Sequence, residues 1–518
     1  MRIADKRMFN HRDTIFALSS GRPPAAIAVV RVSGPCARDA IMSLAGRLPP
    51  PRQAALMRLA SRSGKRGVNP SPADGSATLQ SDRSRQQPTS VREGEDFAAP
   101  PRHNLTPMHT TAPGSVTEPI DDAVVLWFPR PRSETGEDTA EFQLHGGRAV
   151  VAAVLSALGR MEGLRPAEPG EFTRRAFENG KLDLTRVEGL ADLIGAETEA
   201  QRRQAFSQLK GLLGERAERW RERLIEALAL VEALIDFPDE SDVSEKMLGP
   251  AMAAAKELEN EIRDLLADSH RGERLREGLT VAVAGPVNVG KSSIVNRLAR
   301  RSAAIVSPHA GTTRDIIEVH LDLGGFPVTV LDTAGLRDTN DPVEQEGVRR
   351  AGERAGASDL VLWVVDATLK DPPMPPAALR GLDAPAVWIL SNKSDLIGGD
   401  DLEDSIRGGR AGELCNVKYR ISAETGASFD ELVSGLAAYA NQFFAGTESA
   451  IITRQRHRTH LLDCAEALQR AAARGNVDRE DIVAEELRLA ARALGRLTGR
   501  VDVENVLDVI FRDFCIGK

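Results

Sequence analysis

The feature that most constrains this chain is a glycine-rich loop near its middle, Gly285 to Ser292, with the sequence GPVNVGKS. The loop fits the pattern G-x-x-x-x-G-K-[ST]. The apolar run Leu279 to Ala284 before it predicts a buried strand, and the residues from Ser293 onward predict a helix. Main-chain N–H groups of such a loop surround phosphate oxygens at a helix N-terminus, where the helix dipole favours negative charge. The chain is therefore expected to contain a doubly wound α/β domain that binds phosphate.

Four further motifs follow in a fixed order, and the last three lie at the ends of predicted strands. They are GTTRD from Gly311, DTAG from Asp332, NKSD from Asn392 and the pair Ser422-Ala423. The Asp395 carboxylate can accept hydrogen bonds from the N1–H and the exocyclic amine of guanine, which adenine cannot supply. A chance glycine turn would account for the first motif alone. The ordered set predicts a guanine-nucleotide site.

Each motif supplies a distinct chemical group. Lys291 would neutralise the β- and γ-phosphates, Ser292 and Thr313 would bind Mg²⁺ through their hydroxyls, and Asp332 would hold the Mg²⁺ shell. The Ala423 N–H would complete the base pocket. The predicted nucleotide-binding residues are Asn288, Val289, Gly290, Lys291, Ser292, Ser293, Thr313, Asp332, Thr333, Ala334, Gly335, Asn392, Lys393, Asp395, Ser422 and Ala423.

The hydrolytic machinery is less clear from the motifs. Signalling GTPases place glutamine after the D-x-x-G motif, whereas this chain has Leu336, which cannot orient water. Acidic residues follow it, and they either supply the missing group or form an ordinary solvated loop. Asn288 offers a carboxamide oxygen beside the phosphates, where a monovalent cation could replace an arginine finger. The acids are Asp338, Asp341, Glu344 and Glu346.

Composition restricts the class of protein. At 518 residues the chain is expected to form two to four domains. The net charge of −8 excludes a generally basic nucleic-acid coat and leaves room only for a local basic patch. The cysteines lack CxxC spacing, which predicts neither a disulfide framework nor a zinc site. A charged N-terminus and the absence of a long apolar run predict a cytoplasmic protein.

The secondary-structure signals change along the chain. The stretches Ala26 to Ser33 and Ala123 to Phe128 read as strands, and residues 61–118 between them are predicted to be a disordered insertion. From Ala149 the apolar spacing is helical until the α/β segment begins at Leu279. Helical spacing returns from Ile451, so helices before and after the insert are expected to form one bundle.

Sequence outside the nucleotide motifs resembles the MnmE (TrmE) family of tRNA wobble-uridine modification GTPases over essentially the full length. The segments that carry the resemblance are VRVSG from Val30, TGED from Thr135, HGG from His145, PGEFTRRAF from Pro169, NGKLDL from Asn179, IDFPDE from Ile235 and the terminal FCIGK from Phe514. The resemblance implies an N-terminal folate-binding α/β domain, a central helical bundle and an inserted doubly wound P-loop G domain. The implied boundaries are 1–179 for the first, 180–278 plus 446–518 for the bundle and 279–445 for the G domain.

The resemblance also implies particular site residues. Asn288, Ser307, His309 (through its carbonyl) and Thr312 would bind K⁺, with Ser307 and Thr312 also bordering the nucleotide. Glu344 would be the catalytic, water-orienting acid beside Lys291. A 5-formyl-tetrahydrofolate-type cofactor would contact Arg31, Glu141, Lys181 and Lys518. Cys515 is a candidate catalytic residue near that cofactor, although a buried small hydrophobic residue is about equally consistent.

The implied function is a K⁺-activated, Mg²⁺-dependent GTPase that acts as a homodimer. With the FAD-dependent partner MnmG (GidA), in a heterotetramer, it would modify C5 of the wobble uridine in certain tRNAs. One alternative is a ribosome-assembly GTPase of the Era or Der type, which shares the nucleotide motifs but should carry a KH or OB module. Another is a folate-dependent transferase with a vestigial G domain, which the intact motifs disfavour.

Overall fold

The computed structural model describes residues 13–62, 117–236, 241–267, 269–301, 303–304, 318–332, 355–376, 379, 385–397, 417–446, 450–474, 480–501, 507, 510–511, 514 and 516–517. The chain divides into two compact units. One comprises Met1–Phe172 with Cys515–Lys518, and the other comprises Thr173–Phe514. Within the described ranges, no helix is both long enough and apolar enough to cross a membrane.

The first unit is built on a six-stranded mixed sheet with the order β3-β4-β5-β2-β1-β6. Alternate strand residues such as Val30, Val32 and Phe142 are fully buried, and they share a core with Ile41 and Val154 of two helices. One face of the sheet is therefore covered by helices. The elements are β1 (Thr14–Leu18), β2 (Ile27–Ser33), α1 (Ala37–Ala45), β3 (Ala55–Arg62), β4 (Thr117–Phe128), β5 (Thr139–His145), α2 (Arg148–Gly159) and β6 (Leu164–Pro166).

The strands on either side of the predicted insertion reach two residues inside its approximate bounds of 61 and 118. Strand β3 continues to Arg62 and β4 begins at Thr117, and the two are paired in register as Arg62 with Thr117 and Ser61 with Glu118. The β-ladder extends into polar sequence because cross-strand hydrogen bonds do not require apolar side chains. The prediction of disorder for residues 63–116 lies outside the described residues.

The second unit contains a helical bundle with one continuous core. Trp220, Ile262, Leu468 and Leu487 are among its buried residues and come from four different helices. This core joins helices that precede the α/β segment to helices that follow it. The helices of this unit outside the α/β segment are α3 (Glu171–Glu178), at whose start the units divide, α4 (Leu184–Gly195), α5 (Glu199–Leu209), α6 (Leu212–Asp236), α7 (Ser241–Ala267), α8 (Ser269–Glu277), α11 (Gln455–Arg474) and α12 (Glu480–Thr498).

The α/β segment forms a seven-stranded sheet with the order β13-β12-β11-β7-β10-β9-β8. Strands β10, β7, β11, β12 and β13 run parallel, so their carboxyl ends lie along one edge, where doubly wound sheets bind ligands. The elements are β7 (Leu279–Ala284), α9 (Lys291–Arg301), β8 (Ala303–Ala304), β9 (Glu318–Leu323), β10 (Phe326–Asp332), β11 (Leu360–Asp366), β12 (Ala386–Asn392), β13 (Val417–Arg420) and α10 (Phe429–Phe443).

Polar contacts connect the bundle to this sheet within the second unit. Asp192 of α4 accepts hydrogen bonds from Arg454 at 2.6 Å and from Arg276 at 3.2 Å, and Arg276 lies just before β7. The Ala200 N–H at the start of α5 donates to the carbonyl of Gly325, in the turn between β9 and β10, at 3.1 Å. The bundle thus contacts the sheet at the β9–β10 turn, and the helix that leads into β7 is held to α4.

Candidate nucleotide-binding site

The glycine-rich loop joins β7 to α9 in a conformation that its glycines permit. Gly285 has a φ of 146°, and a Cβ at this position would lie 2.3 Å from the carbonyl oxygen of Val364. Asn288 has a φ of 61°, which places the backbone of this exposed residue in the left-handed region. Close packing of the loop on β11 therefore requires glycine at position 285.

Lys291, the first residue of α9, turns back over the loop. Its Nζ donates to the carbonyls of Gly285 at 3.0 Å and Pro286 at 2.6 Å, and the residue is 7% exposed. Burial lowers the pKa of the ammonium group, and the nearby Asp332 carboxylate opposes that effect. A buried ammonium at a helix N-terminus is well placed to bind phosphate oxygens.

Ser292, in the first turn of α9, meets Asp332 at the carboxyl end of β10. The Ser292 hydroxyl donates to Oδ2 of Asp332 at 2.7 Å, while Oδ1 of this carboxylate is buried without a hydrogen-bond partner among the described residues. A hydroxyl beside a carboxylate with an unsatisfied oxygen is the hard-oxygen donor set that Mg²⁺ prefers. These residues fit a magnesium ion.

Asn392, at the end of β12, connects the phosphate side of the site to the base side. Its Nδ2 donates to the Val289 carbonyl at 2.8 Å, and its Oδ1 accepts from the Ala423 N–H at 2.9 Å. Asn392 is 2% exposed, and a Cβ on Gly290 would lie 2.3 Å from its Nδ2. The side chain therefore fixes the spacing between the two loops.

The predicted base-recognition residues lie close together. The Ser422 hydroxyl donates to Oδ1 of Asp395 at 2.5 Å, and Asp395 itself is exposed in a 3₁₀ turn, Ser394–Leu396. An exposed carboxylate with one anchored oxygen can accept hydrogen bonds from a donor edge such as that of guanine.

Lys393 is held by a residue that the sequence alone did not indicate. Its Nζ forms an ion pair with Oδ2 of Asp366, at the end of β11, at 2.7 Å. The hydrogen bond from Lys393, supported by Thr368, lowers the pKa of Asp366 to about 2. The only sequence feature that could have indicated Asp366 is an acid at the carboxyl end of an apolar strand, and many sheets share that feature.

The structure thus brings most of the predicted nucleotide site to one sheet edge. Ser293 lies exposed in the first turn of α9, and Val289 is buried behind the loop. Ten predicted site residues lie outside the described residues: Ser307, His309, Thr312, Thr313, Thr333, Ala334, Gly335, Glu344, Cys515 and Lys518.

Two of the predicted folate residues face each other in the first unit. Arg31 and Glu141 are directly paired across β2 and β5, and Nε of Arg31 donates to Oε1 of Glu141 at 3.0 Å. Arg31 also bonds Glu134 at 2.7 Å, and its guanidinium lies 5.8 Å from the ring centre of Phe172. The sequence did not indicate those last two contacts. Lys181 lies between α3 and α4 in the second unit.

Family models match nearly the whole chain. A model described as the MnmE helical domain matches residues 184–515, and one described as the GTP-binding protein TrmE N-terminus matches residues 14–181. Together they include both the bundle helices and the strands of the first unit.

Curated relatives named "tRNA modification GTPase MnmE" are similar over the full length. The protein from Rhodopseudomonas palustris (strain ATCC BAA-98 / CGA009) is 52% identical, covering 98% of this chain and 99% of that protein. The one from Rhodospirillum rubrum is 48% identical, covering 98% of this chain and 99% of that protein. A solved structure of Era with MgGDPNP and 16S ribosomal RNA nucleotides is 30% identical, covering 31% of this chain and 56% of that chain. Its TM-score of 0.25 is too low to support a statement about fold.

Proposed function

The chain belongs to the MnmE family of tRNA modification GTPases, and from this premise we propose that it binds and hydrolyses GTP in the course of tRNA modification. The observation that carries the proposal is the arrangement around Asn392, which joins the loop containing Lys291 to the loop containing Ala423. A phosphate cradle and a base pocket at a fixed spacing together recognise a nucleotide.

Guanine specificity in this proposal comes from Asp395 and Ala423. The Asp395 carboxylate would accept from guanine N1–H and the amine. The Ala423 N–H, which donates to Oδ1 of Asn392, would be shared with O6. Adenine would leave the carboxylate unpaired, and sites built on such pairs reject the wrong base by about 10⁴-fold. Ser422 supports the proposal because its hydroxyl holds one oxygen of that carboxylate.

Hydrolysis is proposed to depend on two ions and one acid. Mg²⁺, held by Ser292 and Thr313 with Asp332 behind them, would supply positive charge at the phosphates. K⁺ would occupy the side of the loop at Asn288, with Ser307, His309 and Thr312, and Glu344 would orient water. Asn288 supports this proposal because it is exposed, with its backbone in the left-handed region, and its side chain is not buried in the protein core.

For the modification reaction, we extend the proposal to a folate-binding site that includes residues of the first unit. A tetrahydrofolate one-carbon unit would be bound through Arg31, Glu141, Lys181 and Lys518, with Cys515 nearby. The clustering of Arg31 with two carboxylates and an aromatic ring supports a polar, planar ligand there. An FAD-dependent partner and a second copy of the chain would complete the enzyme acting on C5 of the wobble uridine.

The same proposal divides the chain into a folate domain at 1–179, a helical domain at 180–278 plus 446–518, and a G domain at 279–445. The shared core of α6, α7, α11 and α12 supports a helical domain that is discontinuous in sequence.

Calorimetry with 5-formyl-tetrahydrofolate, together with turnover of GTP and of ATP, tests the function. We expect folate binding, GTP turnover and no ATP turnover. GTP turnover without folate binding would contradict the proposed folate site and leave the GTPase proposal standing. Equal use of both nucleotides would exclude the proposed base pocket.

Replacing Arg31 by methionine, which keeps its packing on Phe172 but removes the donors, should abolish folate binding and leave GTP turnover intact.

A further inference from the structure

Arg297, in the second turn of α9, bridges two consecutive carbonyls of the loop that follows β13. Its Nε donates to the Ala423 carbonyl at 2.6 Å, and its Nη2 donates to the carbonyl of Glu424. Hydrogen bonds from a guanidinium are stronger than those between neutral groups, and the planar fork fixes their directions. The side chain therefore holds the path of this loop against α9.

The surroundings of Arg297 are shaped to accept the guanidinium. The group lies 5.8 Å from the ring centre of Phe429, the fully buried first residue of α10. Gly426 has a φ of 86°, and a Cβ there would lie 2.3 Å from Nη1 of Arg297. Glycine at position 426 thus meets both a backbone and a packing requirement.

The loop held in this way carries two groups of the base pocket. The Ala423 N–H bonds Oδ1 of Asn392, and the Ser422 hydroxyl bonds Asp395. The loop is closed internally by the Thr425 N–H to the Ser422 hydroxyl at 3.0 Å and the Gly426 N–H to the Ser422 carbonyl at 2.8 Å. Arg297 is the contact that ties this closed turn to the helix of the phosphate loop.

We propose that Arg297 is a positioning residue for guanine recognition, which sets where the Ala423 N–H meets O6 of the base. This inference rests on the proposed guanine-nucleotide site and adds a residue outside its motifs. Without Arg297, the turn can shift relative to α9, and the N–H loses its alignment with O6. The Asp395 carboxylate lies on a different turn, after β12, and its link to the shifted turn is the Ser422 hydroxyl.

Arg301 provides a matched control on the same helix. It lies one turn after Arg297 and pairs with Asp430 of α10, a carboxylate that is 85% exposed. Arg301→Gln therefore removes a positive charge from α9 but leaves both hydrogen bonds from Arg297 to the loop carbonyls in place. Exposed ion pairs of this kind contribute little to stability.

The experiment measures the affinity of the full-length chain, with Mg²⁺, for three diphosphates. GDP is compared with the 2-aminopurine analogue, which lacks both O6 and the N1–H, and with inosine diphosphate, which lacks the exocyclic amine. For Arg297→Met, we expect GDP and inosine diphosphate to bind about tenfold more weakly, as for one lost hydrogen bond. The 2-aminopurine analogue should change by less than about threefold, because it makes no O6 contact.

Arg297→Lys, which keeps the charge and one donor, should give an intermediate loss for GDP, and Arg301→Gln should match the parent. Equal weakening of GDP and the 2-aminopurine analogue would overturn the inference, and so would unchanged GDP affinity. If Arg297→Met does not fold, the Arg297→Lys comparison decides in the same way. A parent chain without preference for GDP over ADP would instead overturn the proposed function itself.

Discussion

Asn392 shows how the candidate site is held at the scale of single residues. Its side-chain N–H donates to the Val289 carbonyl, and its side-chain oxygen accepts from the Ala423 N–H. Both groups of this nearly fully buried amide are therefore hydrogen-bonded. Buried amides are costly to leave unpaired. The same residue therefore stabilises the fold and sets the distance between phosphate and base.

Glu344→Ala is the prediction that tests the proposed water-orienting acid. Removing the carboxylate should lower the rate of GTP turnover by about 100-fold or more, because a positioned general base contributes at least that much. Affinity for GDP should stay unchanged, since the proposed role of the acid is to orient water rather than to bind the nucleotide. Single-turnover hydrolysis and equilibrium binding measure the two effects. Glu346→Ala is the control, and equal losses in both variants would place the role elsewhere.

Asn288 carries the prediction about the monovalent cation. Turnover in Na⁺ should be slower than in K⁺ by about tenfold or more, because the proposed ion supplies charge where transition-state charge develops. Asn288→Ala should remove the difference between the two salts. Equal rates for the parent in K⁺ and Na⁺ at matched ionic strength would rule out the proposed K⁺ site.

At the scale of elements, the junction between β7 and the glycine-rich loop determines which residue can occupy position 285. Strand β7 pairs with β11 through Trp363 and Ala284, and the loop leaves β7 directly against the next residue of β11. Gly285 therefore combines a positive φ with contact to the main chain of Val364. A main-chain oxygen in a central strand cannot move aside as a flexible side chain can.

Gly285→Ala should lower the free energy of unfolding by about 2–4 kcal/mol, since it adds both backbone strain and a steric overlap. Chemical denaturation of the full chain measures this loss. Gly356→Ala is the matched control, because nothing lies within 4 Å of a Cβ there and its φ is not positive. Similar stability of the two variants would contradict the packing described for β7 and β11.

Deleting Ser63 to Thr110 should leave a folded chain with unchanged GTP turnover. The β3–β4 ladder is paired up to Arg62 and Thr117, and six residues would remain to connect the strands. Shortening the connection between two paired strands changes the closure entropy only slightly. Circular dichroism and turnover assays check the result, and loss of folding would show that the segment is structural.

At the scale of the whole molecule, a buried ionic cluster joins α4 to the start of α11. Glu188 accepts from Nε2 of His457 at 2.6 Å and from Arg456 at 2.8 Å, and Nδ1 of His457 is buried without a partner among the described residues. Burial lowers the pKa of His457, and the positive charges of the nearby Arg456 and Arg454 lower it further. The Glu188 carboxylate has the opposite effect and does not outweigh them. Arg456 also donates to the carbonyls of Arg496 and Leu497 near the end of α12.

This cluster predicts a contribution to acid sensitivity. Because the pKa of His457 is lower in the folded state, the unfolded chain takes up the proton at a higher pH than the folded chain does. The contribution of the neutral histidine to stability is therefore complete above pH 6.5, the ordinary pKa, and decreases as the pH falls below it. His457→Gln keeps a donor for Glu188 but cannot titrate. Between about pH 6.5 and pH 5, its unfolding free energy should fall less steeply than the parent's, by at most about 1.4 kcal/mol per pH unit. Equal slopes in denaturation at these pH values would contradict the prediction.

Local patterns were enough to predict the chemistry of the nucleotide site. The phosphate loop, the NKSD motif and the flanking apolar strands are contiguous in sequence, and strand ends in a parallel sheet meet at one edge whatever the details of packing. The helices of the bundle were also predictable from their apolar spacing. In the first unit, the sequence indicated two of the six strands; a strand as short as β6, Leu164–Pro166, has too few residues to show an alternation.

The amino-acid sequence by itself determined which groups this chain can offer to a guanine nucleotide. Only the tertiary structure decided how those groups are held: Asn392 between two loops, Asp366 on Lys393, Arg297 on the Ala423 carbonyl and Arg31 opposite Glu141. The physical reason is distance along the chain. Partners separated by tens to hundreds of residues leave no periodic or local signal, and they become neighbours only when strand order and register bring them together.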